Sequence, residues 1–178
     1  MIRVAMHHLS PRGVGNKIGY VTLTDTAEGL LLDPEVRELP PGPHGFHVHQ
    51  FGDVEPKDGK PGGMAGEHYD PEHTGRHLGP YRNGHRGDLP RLLVDADGVA
   101  RRPVVAPRLT LAEVEGRALI IHSGGDNYSD SPLPNGGGKS RIVGGIITND
   151  CPYCRQKLLK TAAGAVGFGA LLWALKNR

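Results

Sequence analysis

Residues 43–49 read Pro43-His44-Gly45-Phe46-His47-Val48-His49. The run is too short and too β-like for a helix, and it sits between two turn-rich pieces. Side chains two apart on a strand leave the same face, so His47 and His49 project together. A strand that presents paired imidazoles is a place where a metal can be held. The segments on either side show what kind of fold would carry it.

Upstream, residues 2–8, 17–24 and 29–39 are short apolar or alternating runs. They are separated by Ser10-Pro11-Arg12-Gly13 and Leu39-Pro40-Pro41-Gly42. Downstream, residues 50–90 lose apolar periodicity and fill with Gly, Pro, Asp and His. A loop of that length inside a compact domain is ordinarily functional. Strand signals resume at 92–95, 99–106 and 117–122, with Asp97-Gly98 as the hairpin turn between the first two. A second Gly-rich loop spans 123–140, and a last strand spans 141–148. Eight strands with two long loops predict an all-β fold, a closed antiparallel barrel or sandwich that buries one face of each strand.

The chain has 178 residues, enough for one hydrophobic core and too few for two ordinary domains. Gly 27 and Pro 15 are high while 22% of residues are charged, which indicates a globular chain rich in turns rather than a disordered one. A net charge of +2 without any Lys/Arg run argues against a nucleic-acid partner. The 10 histidines are the anomaly. After His47 and His49 come His68, His77, His85 and Asp88 in the first loop, and His122 at the end of a strand. Imidazole suits copper and zinc, and three imidazoles with a carboxylate suit tetrahedral zinc. One such histidine alone is ordinarily a solvated surface group. Six with a carboxylate, gathered at loop and strand ends, are not, and ligation would order a loop that burial cannot.

Several motifs resemble those of the copper,zinc superoxide dismutases, in their bacterial form. His44-Gly45-Phe46-His47-Val48-His49 is similar to the copper-site strand, and Gly66-Glu67-His68-Tyr69-Asp70-Pro71 to the segment with the bridging histidine. His77-Leu78-Gly79-Pro80 and His85-Arg86-Gly87-Asp88-Leu89-Pro90 resemble the zinc loop. Residues 121–130, from Ile121-His122 to Ser129-Asp130, resemble the last copper ligand and the loop after it. Gly136-Gly137-Gly138-Lys139-Ser140-Arg141 resembles the segment with the active-site arginine. The resemblance spans about residues 2–148 and implies the Greek-key version of the eight-stranded barrel.

It also implies a ligand set. Copper would be held by His47, His49, His68 and His122, and zinc by His68, His77, His85 and Asp88. His68 would bridge the two ions through both ring nitrogens, which is feasible only between cations. Asp126 would link a copper ligand to a zinc ligand through their free N–H groups. His77 is preferred over His73 because it directly precedes Leu78-Gly79-Pro80. His7, His8 and His44 receive no catalytic role. The implied reaction disproportionates superoxide to oxygen and hydrogen peroxide by alternation of copper(II) and copper(I), with His68 taking up and donating a proton. Arg141 would draw in and orient the anion, with Lys139 as a weaker contributor to a positive approach. Its rival is a metal-binding or copper-storage module of the same fold without turnover.

Two features depart from the family. Its usual disulfide, from the loop after the copper-site strand to the last strand, is absent, since residues 50–55 hold no cysteine and Gly144 stands where the partner is expected. The only cysteines form Cys151-Pro152-Tyr153-Cys154. That motif reads first as a thiol or disulfide pair, then as copper(I) capture, and last as an oxidoreductase site. The domain is expected over 1–150 and a C-terminal extension over 151–178, with a short accessory helix at 155–175. The uncharged residues 161–175 would reach only ~22 Å as a helix, short of a ~30 Å hydrocarbon core. Flanked by cations, they suit a membrane surface, a short anchor or packing against a second subunit, with the first and last preferred over a true span, and a frayed C-terminal extension is the plain alternative. No secretory signal is read at Met1-Ile2-Arg3-Val4, so a cytoplasmic location is expected, or a periplasmic or extracellular one for a form whose leader was removed.

Overall fold

The structure, a computed structural model, describes residues 1–149. Among these residues, nine strands and one α-helical turn carry the fold. They are β1 (Ile2–Ser10), β2 (Gly13–Thr26), β3 (Gly29–Val36), β4 (Gly42–His44), β5 (Phe46–His49), β6 (Leu92–Val94), β7 (Val104–Ala106), α1 (Leu111–Val114), β8 (Ala118–His122) and β9 (Arg141–Ile146). Period-2 patterning drives the first hairpin. Ile2, Val4 and Met6 of β1 and Val21 and Leu23 of β2 are buried together, with Ile2 opposite Leu23 and Val4 opposite Val21. Leu30, Leu32 and Val36 of β3 extend the same interior.

Seven strands form one antiparallel sheet in the order β5-β8-β9-β1-β2-β3-β7, and β4 pairs with β6. Neighbours such as β5 and β8, or β9 and β1, are far apart in sequence, which gives the sheet its Greek-key character. Bridges from Ala100 to both Val36 and Val94 tie β3 to β6, and β4 runs through Gly45 into β5. The sheet therefore curls back on itself around the core. Among the described residues that core is aliphatic, with Phe46 its one fully buried aromatic ring.

The architecture is the all-β one expected, with local differences. The run 43–49 is two strands, because Gly45 leaves the ladder: its N–H donates to Gly124 O at 2.8 Å and its carbonyl accepts from His122 at 2.8 Å. The run 99–106 is a strand only at β7, with Ala100 acting as a lone bridge residue. The turn α1 was not anticipated. Glu113 caps it by accepting from the Thr110 N–H (3.1 Å) and hydroxyl (3.0 Å). The extension 151–178, with its Cys-Pro-Tyr-Cys motif and expected helix, lies outside the described residues.

Candidate metal centre

On β5, Phe46 and Val48 point into the main core, while His47 and His49 face outward and are nevertheless fully buried. The first loop covers them by adding short straps to the free edge of β5. Tyr69 N–H donates to Val48 O (2.9 Å) and Val48 N–H to Gly87 O (2.9 Å), and the bridges His49↔His68 and His47↔Asp88 set the register. Backbone register thus delivers His68 and Asp88 to the two strand histidines. A β-carbon at Gly87 would collide with Val48 O, so the strap needs glycine there. His122 arrives from the end of β8, which pairs with β5.

Ring nitrogens and one carboxylate oxygen converge into two adjoining sets. His47, His49, His68 and His122 offer atoms that lie within 4.8 Å of one another, and so do His47, His68, His77 and Asp88. His85 also belongs beside the second set, because its Nδ1 is 3.5 Å from Asp88 Oδ1. His77 Nδ1 and His68 Nδ1 each lie 3.0 Å from that same oxygen. His47, His77 and His85 each bury an Nδ1 that makes no hydrogen bond. Buried polar atoms ordinarily find partners, so three lone nitrogens around one carboxylate oxygen and one shared ring are what a cation site looks like. His73 is exposed and stands outside both sets.

The outer contacts decide which nitrogen of each ring stays free. Asp126 accepts from His47 Nε2 through Oδ2 and from His77 Nε2 through Oδ1, both at 2.8 Å, joining the two sets. His49 Nδ1 donates to Gly66 O at 3.0 Å and His122 Nδ1 to Lys139 O at 3.3 Å. Their Nε2 atoms then meet at 3.4 Å with lone pairs available. Gly136, at φ +70°, lets the second loop press on Asp126 and His77, where a side chain would collide.

Charge follows the same partition. Burial, and then repulsion from neighbouring imidazoles, keeps His49 and His122 well below the ordinary histidine range. His68 is lowered to about 3 by burial and then by His47. These rings are neutral and ready to ligate. Burial opposes a proton on His77, but Asp126 and Asp88 outweigh it and raise that ring to about 9. Burial likewise opposes charge on Asp88 and Asp126; the imidazoles gathered against Asp88 and the hydrogen bonds from His47 and His77 to Asp126 override it, so both remain carboxylates.

A cavity of about 440 Å³ opens onto His68 and His122. Its wall carries Lys60, Lys139 and Arg141 against Glu67, a positive balance suited to a small anion. The Arg141 guanidinium is fixed by donating through Nη1 to Gly62 O (2.7 Å) and through Nη2 to Gly66 O (2.6 Å).

Some contributors were not read from sequence. Asp130 accepts from His77 N–H (2.8 Å) and Asn135 N–H (3.1 Å), pinning the two loops together. It lies within a quoted motif, but nothing in its residue type distinguishes it from a solvated aspartate. His44 is buried, with its ring nitrogens 2.7 Å from His122 O and from Pro40 O, and so supports the β8 ligand from beneath.

A family model described as copper/zinc superoxide dismutase (SODC) matches residues 17–147. A Cu-Zn superoxide dismutase of Escherichia coli (strain K12) is 49% identical over 150 residues, 82% of this chain and 87% of that protein. One from Photobacterium leiognathi is 50% identical over 138 residues, 75% of this chain and 80% of the relative. Among solved structures, the Cu/Zn superoxide dismutase from Brucella abortus superposes with a TM-score of 0.79 at 46% identity, covering 82% of this chain and 98% of that one. The monomeric copper, zinc superoxide dismutase from Salmonella enterica gives a TM-score of 0.74 at 49% identity, with the same coverage of 82% and 98%. By the extent of the family model and by this level of identity, the chain belongs to the copper/zinc superoxide dismutase family.

Proposed function

We propose that the chain converts two superoxide anions and two protons into oxygen and hydrogen peroxide, using one copper and one zinc site built from the two sets above. The observation that carries this reading is the partition of ring nitrogens. The converging atoms are His47 Nδ1, His49 Nε2, His68 Nε2 and His122 Nε2 on one side, and His68 Nδ1, His77 Nδ1, His85 Nδ1 and Asp88 Oδ1 on the other, with the Nδ1 atoms of His47, His77 and His85 lacking any hydrogen-bond partner. The first group would hold copper and the second zinc. Asp126 already occupies His47 Nε2, which favours His85 over His47 as the fourth zinc ligand. Copper supplies the one-electron redox change and zinc, redox-silent, supplies fixed positive charge.

The protein's own groups do the rest. Lys60, Lys139 and Arg141 attract the anion into the cavity, and Arg141, with two donors spent on backbone carbonyls, keeps others to orient it. His68 lines that cavity, so its Nε2 can hold a proton and pass it to the reduced oxygen species. The two loops exclude bulk water from the buried ligands. The extension 151–178 would take no part in this chemistry and would serve a membrane surface or a second subunit. The ligands all fall within 1–150.

Arg141→Ala is expected to lower the second-order rate with superoxide by about ten-fold while leaving copper and zinc content intact. The wild-type rate should also fall with added salt, since screening shortens to ~8 Å at ~0.15 M. Stopped-flow superoxide decay with metal analysis reads both, and an unchanged rate in the variant removes Arg141 from the site. Zinc affinity should be pH-dependent as well. His77 holds a proton up to about pH 9, and zinc must displace it. The logarithm of the binding constant should therefore rise by about one per pH unit toward that value and then level off for this group. Competition with a chelator across pH measures the slope, and a flat profile contradicts it.

A further inference from the structure

Residues 50–66 lead from β5 back to His68 with no regular element other than a 3-10 turn at Gly63–Ala65. This loop nevertheless presents the two carbonyls, Gly62 O and Gly66 O, that aim Arg141, and Gly66 O also orients His49. Something must pin it. From Gln50 to Met64 the only buried side chain is Val54, which is 0% exposed. It enters a small apolar cluster with Leu9, Ala65, Ala118 and Ile120, separate from the main core.

The room for it comes from β9. A β-carbon at Gly144 would stand 3.2 Å from Val54 Cγ1, 3.0 Å from Leu9 Cδ1 and 2.8 Å from Ile120 Cδ1. The missing side chain is the notch that Val54 fills. Leu9 Cδ1 in turn lies 2.9 Å from the β-carbon position of Gly62, so the cluster sits directly under the first of the Arg141 acceptors. Beside Val54, Glu55 O accepts from Met64 N–H at 3.0 Å, which carries the anchor into the turn that ends at Gly66. No cysteine precedes Cys151, so no disulfide within residues 1–150 shares this task.

We propose that Val54 is a positioning residue for superoxide capture: seated in the Gly144 notch, it fixes the 50–66 loop and, through Gly62 O and Gly66 O, the Arg141 guanidinium. The proposal rests on the dismutase reading given above. Loss of the Val54 methyls leaves Ala65 as the loop's one remaining apolar contact with the cluster, and the arginine then samples orientations that the anion cannot use.

The test is a double-mutant cycle in the metal-loaded full chain, using Val54→Ala, Arg141→Ala and both together. Copper and zinc content, the superoxide rate and amide hydrogen exchange over 55–66 are measured for each. Val54→Ala should keep both metals, speed exchange at Gly62–Gly66 and lower the rate by about five-fold. With Arg141 already absent, the same substitution should leave the rate unchanged. Val54→Ile should restore it. A residue that matters only for stability would lower the rate equally in both backgrounds, or lower thermal stability without touching the rate, and either result overturns the proposal. If Val54→Ala yields no metal-loaded protein, Val54→Thr keeps the shape and must shift exchange and rate in the same directions, or the proposal fails. A wild-type chain that holds both metals and consumes no superoxide would refute the dismutase reading instead, a result distinct from any of these.

Discussion

His68→Ala should reduce superoxide consumption by on the order of 10³-fold or more and weaken the binding of both metals, a larger loss than the ~10–100-fold typical of an outer partner. The ring is shared by the two sets. Its Nδ1 lies 3.0 Å from Asp88 Oδ1, and its other edge faces His47, with ring centroids 4.0 Å apart. Burial keeps it neutral, lowered to about 3, so both nitrogens are available when cations replace protons. Deleting it leaves each set one donor short and takes from the cavity wall the ring proposed to hold the proton. Metal content per chain and superoxide decay on the same preparation read the effect. A variant that retains both metals and half of the wild-type rate would remove His68 from its bridging role.

Asp126→Asn should weaken zinc binding by about 10–100-fold, with a smaller loss for copper. The carboxylate is buried and accepts from one imidazole of each set at 2.8 Å. An amide of the same shape can accept from only one of the two N–H groups and turns its NH₂ toward the other. It also removes the charge that, together with Asp88, holds His77 at about 9. The same variant should therefore shift the pH dependence of zinc binding to lower pH, because His77 releases its proton more readily. Isothermal titration at two pH values separates the affinity loss from the proton effect. Unaltered zinc affinity with an unaltered pH slope would show that Asp126 joins the two sets in space only.

Much of this centre was legible in the sequence because its chemistry is carried by residue type. His47 and His49 share a face by strand periodicity, His68, His77, His85 and Asp88 stand out from a loop poor in core-forming residues, and His122 closes a strand. What was illegible was carried by the backbone or by single apolar groups. Gly62 O, Gly66 O and Lys139 O hold Arg141, His49 and His122 in place, yet a carbonyl leaves no mark on residue identity. Gly45 reads as an ordinary strand residue, and only its exchange of hydrogen bonds with Gly124 and His122 shows why the strand breaks there. Ala100 links β3 to β6 as one bridge residue, too short a feature for any period to reveal. Val54 is an isolated apolar residue in a polar loop, and its weight appears only once Gly144 is seen across from it.

The measurement closest to the central claim is superoxide decay followed on protein whose copper and zinc have been counted in the same sample, stripped with a chelator and then restored one metal at a time. With about one copper and one zinc per chain the rate should approach the fast, electrostatically assisted regime. It should vanish on removal of copper, survive in weakened form without zinc, and rise in proportion to copper restored. Full activity in protein shown to lack copper, or no activity in protein shown to hold both metals, would contradict the account.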